Sequence, residues 1–281
     1  MTRQIFQLYP SQTEGLPLEG MYLESRLHQL GSSETPFVYG NFISSLDGRI
    51  ALMDTAGATG YLPDELGNPD DFRLFLELEA QADCLITHGG YLRAIAAGRL
   101  DDILQVGTTK ETRDLAAWRR TQGLSEQPAV VIASASLDFV VPESVERHRQ
   151  KVYIATGNEA DPVRVRHFER KGYEIIRAGH DRMVEGGPLV RAVGRLGYKS
   201  LYLLTGPRML QTMLHDRVLS RLYVTIVHHV IGGEAFHTLT LGPQLRQAGR
   251  LHLRSLYHDP ASESHAGQWF AQFEPAVPRD P

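Results

Sequence analysis

From about residue 36 onward, short apolar runs alternate with stretches whose apolar positions recur every three or four residues. That alternation predicts an α/β chain, a mostly parallel sheet covered by helices. Strands are expected at 36–45, 83–87, 129–133, 151–156, 173–177, 200–204 and 221–227, each rich in Val, Ile, Leu, Phe or Tyr. Between them, Asn68-Pro69-Asp70-Asp71 opens a helix with Phe72, Phe75, Leu76 and Leu78 on one side. Further helices are expected at 91–98, 110–122, 188–196 and 208–216, and after the Asp161-Pro162 cap as far as Lys171. Residues 251–257 and 268–273 alternate strictly and predict a closing antiparallel pair. Pro10, Gly15, Pro17 and Gly20 interrupt any pattern before a helix at 21–30, so residues 1–34 are expected to be an extension packed on one domain of 35–281.

Composition narrows the partners. The chain has 281 residues, 42% of them hydrophobic and 22% charged, an ordinary balance for a packed globular protein. A net charge of -4 without a basic, aromatic-interleaved patch argues against nucleic acid. With no run of eighteen apolar residues and no secretory leader pattern at residues 1–10, no membrane association and a cytoplasmic location are expected. Cys84 is alone in an apolar run, so a buried structural thiol is expected, with neither a disulfide nor a thiolate zinc cage. His228 and His229 are consecutive in a strand and point to opposite faces, and the other histidines lack ligand spacing; no metal is expected. No G-x-S-x-G elbow occurs.

Three strand ends carry the candidate chemistry. Residues 36–51 end in Ser44-Ser45, the Asp47-Gly48 turn and Arg49, polar groups just past a buried strand, where open α/β sheets place ligands. A hairpin tip is the other reading of Asp-Gly, although residues 53–59 do not alternate like a return strand. Asp47 either relays a proton or caps the turn. At the second end, Thr205-Gly206-Pro207 leads from strand to helix, so that backbone N–H groups can face an anion; a plain connecting turn is the alternative. At the third, Thr87-His88-Gly89-Gly90-Tyr91 repeats the pattern.

Asn41 and Ser45-Leu46-Asp47-Gly48-Arg49-Ile50-Ala51 resemble the opening strand of the reductase family typified by the C-terminal domain of the bifunctional riboflavin-biosynthesis protein. The resemblance runs over about residues 36–275 and implies a dihydrofolate-reductase-like three-layer α/β fold, with an antiparallel C-terminal pair. It implies hydride transfer from NADPH, NADH not being excluded, to the ribosyl carbon of a pyrimidine intermediate. The zinc deaminase half has no counterpart here, for its H-x-E and P-C-x-x-C signature is missing. By resemblance, Asn41, Ser45 and Thr59 meet substrate and Asp47 lies at the reacting centre. Tyr61, Thr87, Gly89, Gly90, Ser134, Thr205, Gly206, Pro207, Arg208, Met209 and Leu210 meet the cofactor, with Tyr91 as an alternative to Thr87 and Arg93 as a candidate for the 2′-phosphate.

Two positions depart from the family on the substrate side. Leu204 stands where the family has an acidic residue, and Glu79 where it has an arginine that grips a substrate phosphate. Glu79 is expected to repel a phosphorylated substrate, which favours another heterocyclic or carbonyl substrate. Glu185-Gly186-Gly187-Pro188 spells the family's pyrophosphate motif, but no apolar strand precedes it. A C2 homodimer through exposed edges of the last two strands is also expected. A non-catalytic homologue that kept the fold is the alternative function.

Overall fold

The computed structural model describes residues 4–12, 14–53, 60–261 and 266–276. In chain order the elements are β1 (Gln4–Tyr9), β2 (Gly15–Pro17), β3 (Phe37–Ser45), β4 (Ala51–Met53), β5 (Gly60–Tyr61), α1 (Pro69–Glu79), β6 (Cys84–His88), α2 (Gly89–Ala96), α3 (Arg113–Thr121) and β7 (Ala129–Ala133). They continue with α4 (Glu143–Arg147), β8 (Val152–Thr156), α5 (Pro162–Arg170), β9 (Glu174–Arg177), α6 (Gly186–Arg195), β10 (Ser200–Leu203), α7 (Pro207–His215), β11 (Arg221–Val227), β12 (Phe236–His237), β13 (Leu251–Asp259) and β14 (Gln268–Pro275). The chain divides into two compact units, one of Met1–Ser25, Tyr39–Glu77 and Gly206–Pro281, the other of Arg26–Val38 and Leu78–Thr205.

In the second unit β10, β6, β7, β8 and β9 lie side by side, every pair parallel, with Leu201 beside Cys84 and Cys84 beside Ala129. Crossover helices cover parallel strands on both faces, so these strands read as continuous apolar runs. All five residues of β7 and of β8 are buried. The Asp161 carboxylate accepts the Val163 N–H at 2.8 Å and starts α5, with Pro162 at its first turn. Asp83 fixes the start of β10 by accepting the N–H groups of Lys199 (2.9 Å) and Ser200 (3.2 Å). The Cys84 thiol is buried, and burial pushes its pKa well above the usual thiol range.

Arg119 of α3 is fully buried and donates to the carbonyls of Ala80 (2.9 Å), Ala82 (2.8 Å) and Ser125 (3.0 and 2.8 Å). These carbonyls follow the end of α1 or lie in the loop after α3, where the helix and strand ladders supply no donor.

In the first unit the order is β2-β1-β13-β14-β11-β3. β11 and β3 are parallel, and the remaining pairs are antiparallel, including the expected β13–β14 pair. The edge reading of the last two strands is corrected here. β14 lies between β13 and β11 and has no open edge, and β1 pairs with Leu256, Tyr257 and His258 of β13, which leaves an edge only along the first half of β13.

The helix expected at 21–30 is instead two 3₁₀ turns, Leu23–Ser25 and Leu27–Gln29. The run is broken in its middle: Arg26 adopts a left-handed conformation at φ 44°, and the Leu27 N–H, which a continuous helix would use, donates to Gln81 Oε1 at 2.8 Å, while Glu77 accepts the N–H groups of Gly20 and Tyr22. The hairpin reading of Asp47-Gly48 also fails as a strand return. β4 pairs with β5 and β12 in a separate small sheet, and not with β3.

Arg119→Leu is expected to destabilise the fold by about 3 kcal/mol, because it strands buried carbonyls without a donor. Urea unfolding of the variant beside the parent chain measures this; an unchanged midpoint and slope would refute the assignment.

Candidate functional site

In the second unit the parallel register brings the C-terminal ends of β10, β6, β7 and β8 to one edge of the sheet. Thr87, near the end of β6, is fully buried, and its Oγ1 has no hydrogen-bond partner among the described residues. Thr205 follows β10, and its Oγ1 is likewise buried and unpartnered. An unsatisfied buried hydroxyl costs about 1–3 kcal/mol, so each suits a ligand that supplies the missing bond. Thr156, the last residue of β8, has the same orphaned Oγ1. Its sequence signal was a threonine closing an apolar strand, as at Thr87, but without glycines after it.

α2 starts at Gly89 directly after β6, and its N-cap, His88, makes no side-chain cap bond. Burial lowers the His88 pKa to about 4, with Arg93 adding to the effect, so the imidazole is neutral at the helix N-terminus. Gly89 is closely packed: a Cβ there would lie 3.0 Å from both Ser134 Oγ and Phe139 Cδ1, so a larger residue would push those side chains aside. A Cβ on Gly90 would lie 2.8 Å from His88 Nδ1. Ser134 Oγ accepts the Leu137 N–H at 2.9 Å and retains its own proton for donation. Tyr91 is spent structurally, for its hydroxyl donates to Asp101 O at 2.8 Å and accepts from Ile103 N–H at 2.9 Å. Thr87 is therefore the better-placed ligand group of the two. Arg93 donates to the Asp138 carbonyl at 3.0 Å.

Glu79 corrects an expectation. It is fully buried, and neither carboxyl oxygen has a hydrogen-bond partner among the described residues. Burial pushes its pKa up to about 8, the Arg119 guanidinium partly opposing this and Asp102 adding to it. A buried acid that keeps its proton at neutral pH presents no negative charge to a phosphorylated substrate.

In the first unit the block 45–49 forms a clamp. Ser45 Oγ donates to Asp47 Oδ1 at 2.5 Å and accepts the Arg49 N–H at 2.9 Å. Asp47 also accepts from the N–H groups of Gly232 (2.9 Å) and Ile231 (3.3 Å) and pairs with Arg49 Nη1 at 3.2 Å. The Ser45 hydrogen bond, assisted by those N–H groups and Arg49, lowers the Asp47 pKa to about 2. Arg49 Nε donates to Gly232 O at 3.0 Å, and its guanidinium lies 4.2 Å from the Phe236 ring centre. Gly48 takes φ +85°, which explains the glycine.

The other expected site residues separate by burial. Asn41 on β3 has a buried, unpartnered Oδ1 among the described residues. Tyr61 on β5 is 49% exposed. At the start of α7, Gly206 is the extended N-cap and Pro207 the first residue; Arg208 is exposed, Met209 partly so, and Leu210 is fully buried. The Leu210 side chain is thus part of the core. Thr59 lies outside the described residues.

Parallel strands that end in unpartnered hydroxyls, beside a glycine-led helix, mark the kind of strand-end edge at which open α/β sheets hold ligands. The RibD C-terminal domain family matches residues 36–262, and the chain belongs to that family. A pyrimidine reductase-like protein of Corynebacterium diphtheriae is similar in structure, with a TM-score of 0.59 and 20% identity over 87% of this chain and 93% of that one. The riboflavin biosynthesis reductase Rib7 of Saccharomyces cerevisiae superposes with a TM-score of 0.59 at 13% identity, covering 92% of this chain and 99% of its own. RibD of Acinetobacter baumannii matches with a TM-score of 0.57 at 13% identity over 86% of this chain, which spans 58% of that longer protein. These likenesses establish the dihydrofolate-reductase-like α/β fold. Comparison with curated protein sequences finds no match.

Two tests follow from this geometry. The folded-state pKa of Glu79 lies above its ordinary 4.5, so its contribution to stability is fully present below that pH and is lost as pH rises through about 8. Glu79→Gln is expected to abolish that loss and to be more stable than the parent at pH 8 by on the order of 3 kcal/mol. Urea unfolding at pH 5 and pH 8 reads this directly, and parallel profiles for the two chains would contradict it. Asp47→Ala is expected to speed hydrogen exchange at the Ile231 and Gly232 amides, measured by mass spectrometry; unchanged protection there would show that the clamp is not holding the loop.

Proposed function

We propose that the protein is a cytoplasmic NADPH-dependent reductase acting on a ribosylaminopyrimidine or a related heterocyclic or carbonyl substrate. The observation that carries this is the pair of orphaned hydroxyls, Thr87 and Thr205, on the common edge of β6 and β10. Membership of the RibD C-terminal domain family supports it, as do the names of the structurally similar pyrimidine and riboflavin reductases.

When bound, a reduced nicotinamide would supply the hydride. The chain's own residues hold and orient the ligands, which is the main demand such chemistry makes of a protein. Thr87 and Thr205 offer hydroxyls to the cofactor, and the uncapped start of α2 at Gly89 and Gly90 favours its phosphates. The Asn41 carboxamide is assigned to a polar ring group of the substrate. Asp47 is ionised at neutral pH and holds the β3 turn in place; it donates no proton there. Leu204 offers no acceptor where relatives carry an acid, which favours a substrate lacking the corresponding donor.

The same reading includes a C2 homodimer. With β14 enclosed and β13 partly covered, the supporting surface is the outward side of β1, where Phe6, Leu8 and Tyr9 are 42%, 47% and 51% exposed. Light scattering at micromolar concentration should give twice the chain mass, and a monomer would reject the dimer.

Thr87→Val with Thr205→Val is expected to weaken NADPH binding by about tenfold or more while leaving the fold intact. Titration followed by nicotinamide fluorescence measures it. Failure of the parent chain to bind NADPH or NADH at sub-millimolar concentration would overturn the reductase assignment. Binding without turnover on a panel of ribosylaminopyrimidines and pterins would instead identify a non-catalytic homologue.

A further inference from the structure

Asp71 stands in the first turn of α1, a place where an acid ordinarily serves the helix itself. Asn68 already caps this helix, its Oδ1 accepting the Asp71 N–H at 2.9 Å. In a capping box the Asp71 carboxylate would turn back to the Asn68 N–H. It reaches across to the sheet instead and accepts the hydroxyl of Thr225 on β11 at 2.5 Å. Neither another donor nor an ion pair holds that carboxylate among the described residues. Burial pushes its pKa up to about 6, the Thr225 bond opposing, so at neutral pH it is ionised and short of donors. A carboxylate has about four acceptor positions, and Thr225 fills one.

The face of the first unit that carries this acid is open. Asn41 and Ile43 of β3 stand beside Tyr223 and Thr225 of β11 in parallel register, and side chains paired in this way share a face. On that face Asn41 and Ile43 are partly exposed, whereas Phe42 and Ser44, which point the other way, are buried. Asn41 Oδ1 is itself buried and unpartnered among the described residues. Phe75, one turn after Asp71 on the same side of α1, is half-buried and stacks on Phe72 at 5.8 Å between ring centres. Two acceptors, Asp71 and Asn41, thus accompany two apolar surfaces, Ile43 and Phe75.

We propose that Asp71 selects the substrate, binding the ring N–H and the amino group of a 2-amino-4-oxopyrimidine ring, free or fused as in a pterin, in preference to a 2,4-dioxopyrimidine. The proposal rests on the reductase reading and names its substrate class. A ring N–H beside an exocyclic amino group presents two parallel donors, which an ionised carboxylate accepts as a charge-assisted pair. A dioxo ring puts a carbonyl oxygen in place of the amino group, so one carboxylate oxygen meets an acceptor and goes unpaired. Thr225 orients the carboxylate, Ile43 and Phe75 pack on the flat ring, and Asn41 Oδ1 accepts a further N–H.

Fluorescence titration of the full chain with pterin and lumazine, which differ in having an amino or an oxo group at the 2-position, tests this. The parent chain should bind pterin about tenfold or more tighter than lumazine. Asp71→Asn keeps the side-chain shape and removes a desolvated charge, so it should fold and bind NADPH as the parent does. It should weaken pterin binding about tenfold or more without weakening lumazine. Equal affinity of the parent for the two probes, binding of neither at sub-millimolar concentration, or an undiminished pterin preference in the variant would overturn the Asp71 site; NADPH binding by the parent would then leave the reductase reading standing. A pterin preference that depends on Asp71, in a parent chain that binds neither NADPH nor NADH, would uphold the site and overturn the reductase reading.

Discussion

Parallel strand pairing is the constraint on which the second unit depends. Because β10, β6, β7 and β8 run in the same direction, each needs a covering crossover, and each buries both of its faces. The strand interiors therefore have no place for chemistry. Polar side chains collect where the chain leaves the sheet, at the ends carrying Thr87, Ser134, Thr156 and Thr205. The direction of the strands thus places functional groups on one edge before any particular ligand is considered.

Hydrogen-bond accounting then separates structural from ligand-directed polar groups, which residue type alone cannot do. Ser45 and Asp47 are satisfied by their own turn and by the loop at 231–232. Tyr91 is satisfied by the loop at 101–103. Asn41, Thr87 and Thr205 keep buried oxygens with no partner among the described residues. The turn 45–49 that carries the sequence resemblance is thus held by its own hydrogen bonds, while Asn41, Thr87 and Thr205 keep unpaired oxygens.

Burial also changes what a charge means. Glu79 stands where the sequence resemblance implied an arginine, and as a surface carboxylate it would repel phosphate. Inside the unit it is neutral at ordinary pH, and the nearby guanidinium of Arg119 is committed to backbone carbonyls.

The sequence by itself determined β3, β6–β11, β13 and β14, the helices α1–α3 and α5–α7, the parallel class and the resemblance to the family, because burial on both faces writes continuous apolar runs and the turn 45–49 needs a fixed set of residue types, while the short β2, β4, β5, β12 and α4 left no such signal. It missed β1, which looks like a broken tail until its pairing with β13 is seen, and it placed a helix at 21–30 that the left-handed Arg26 and the Leu27–Gln81 hydrogen bond interrupt. Pairing partners, hydrogen-bond saturation and ionisation depend on residues distant in sequence. For that reason only the tertiary structure decided that Asp47 is a clamp, that Leu210 is core, that Glu79 is hidden, and that Asp71 turns from its helix to Thr225.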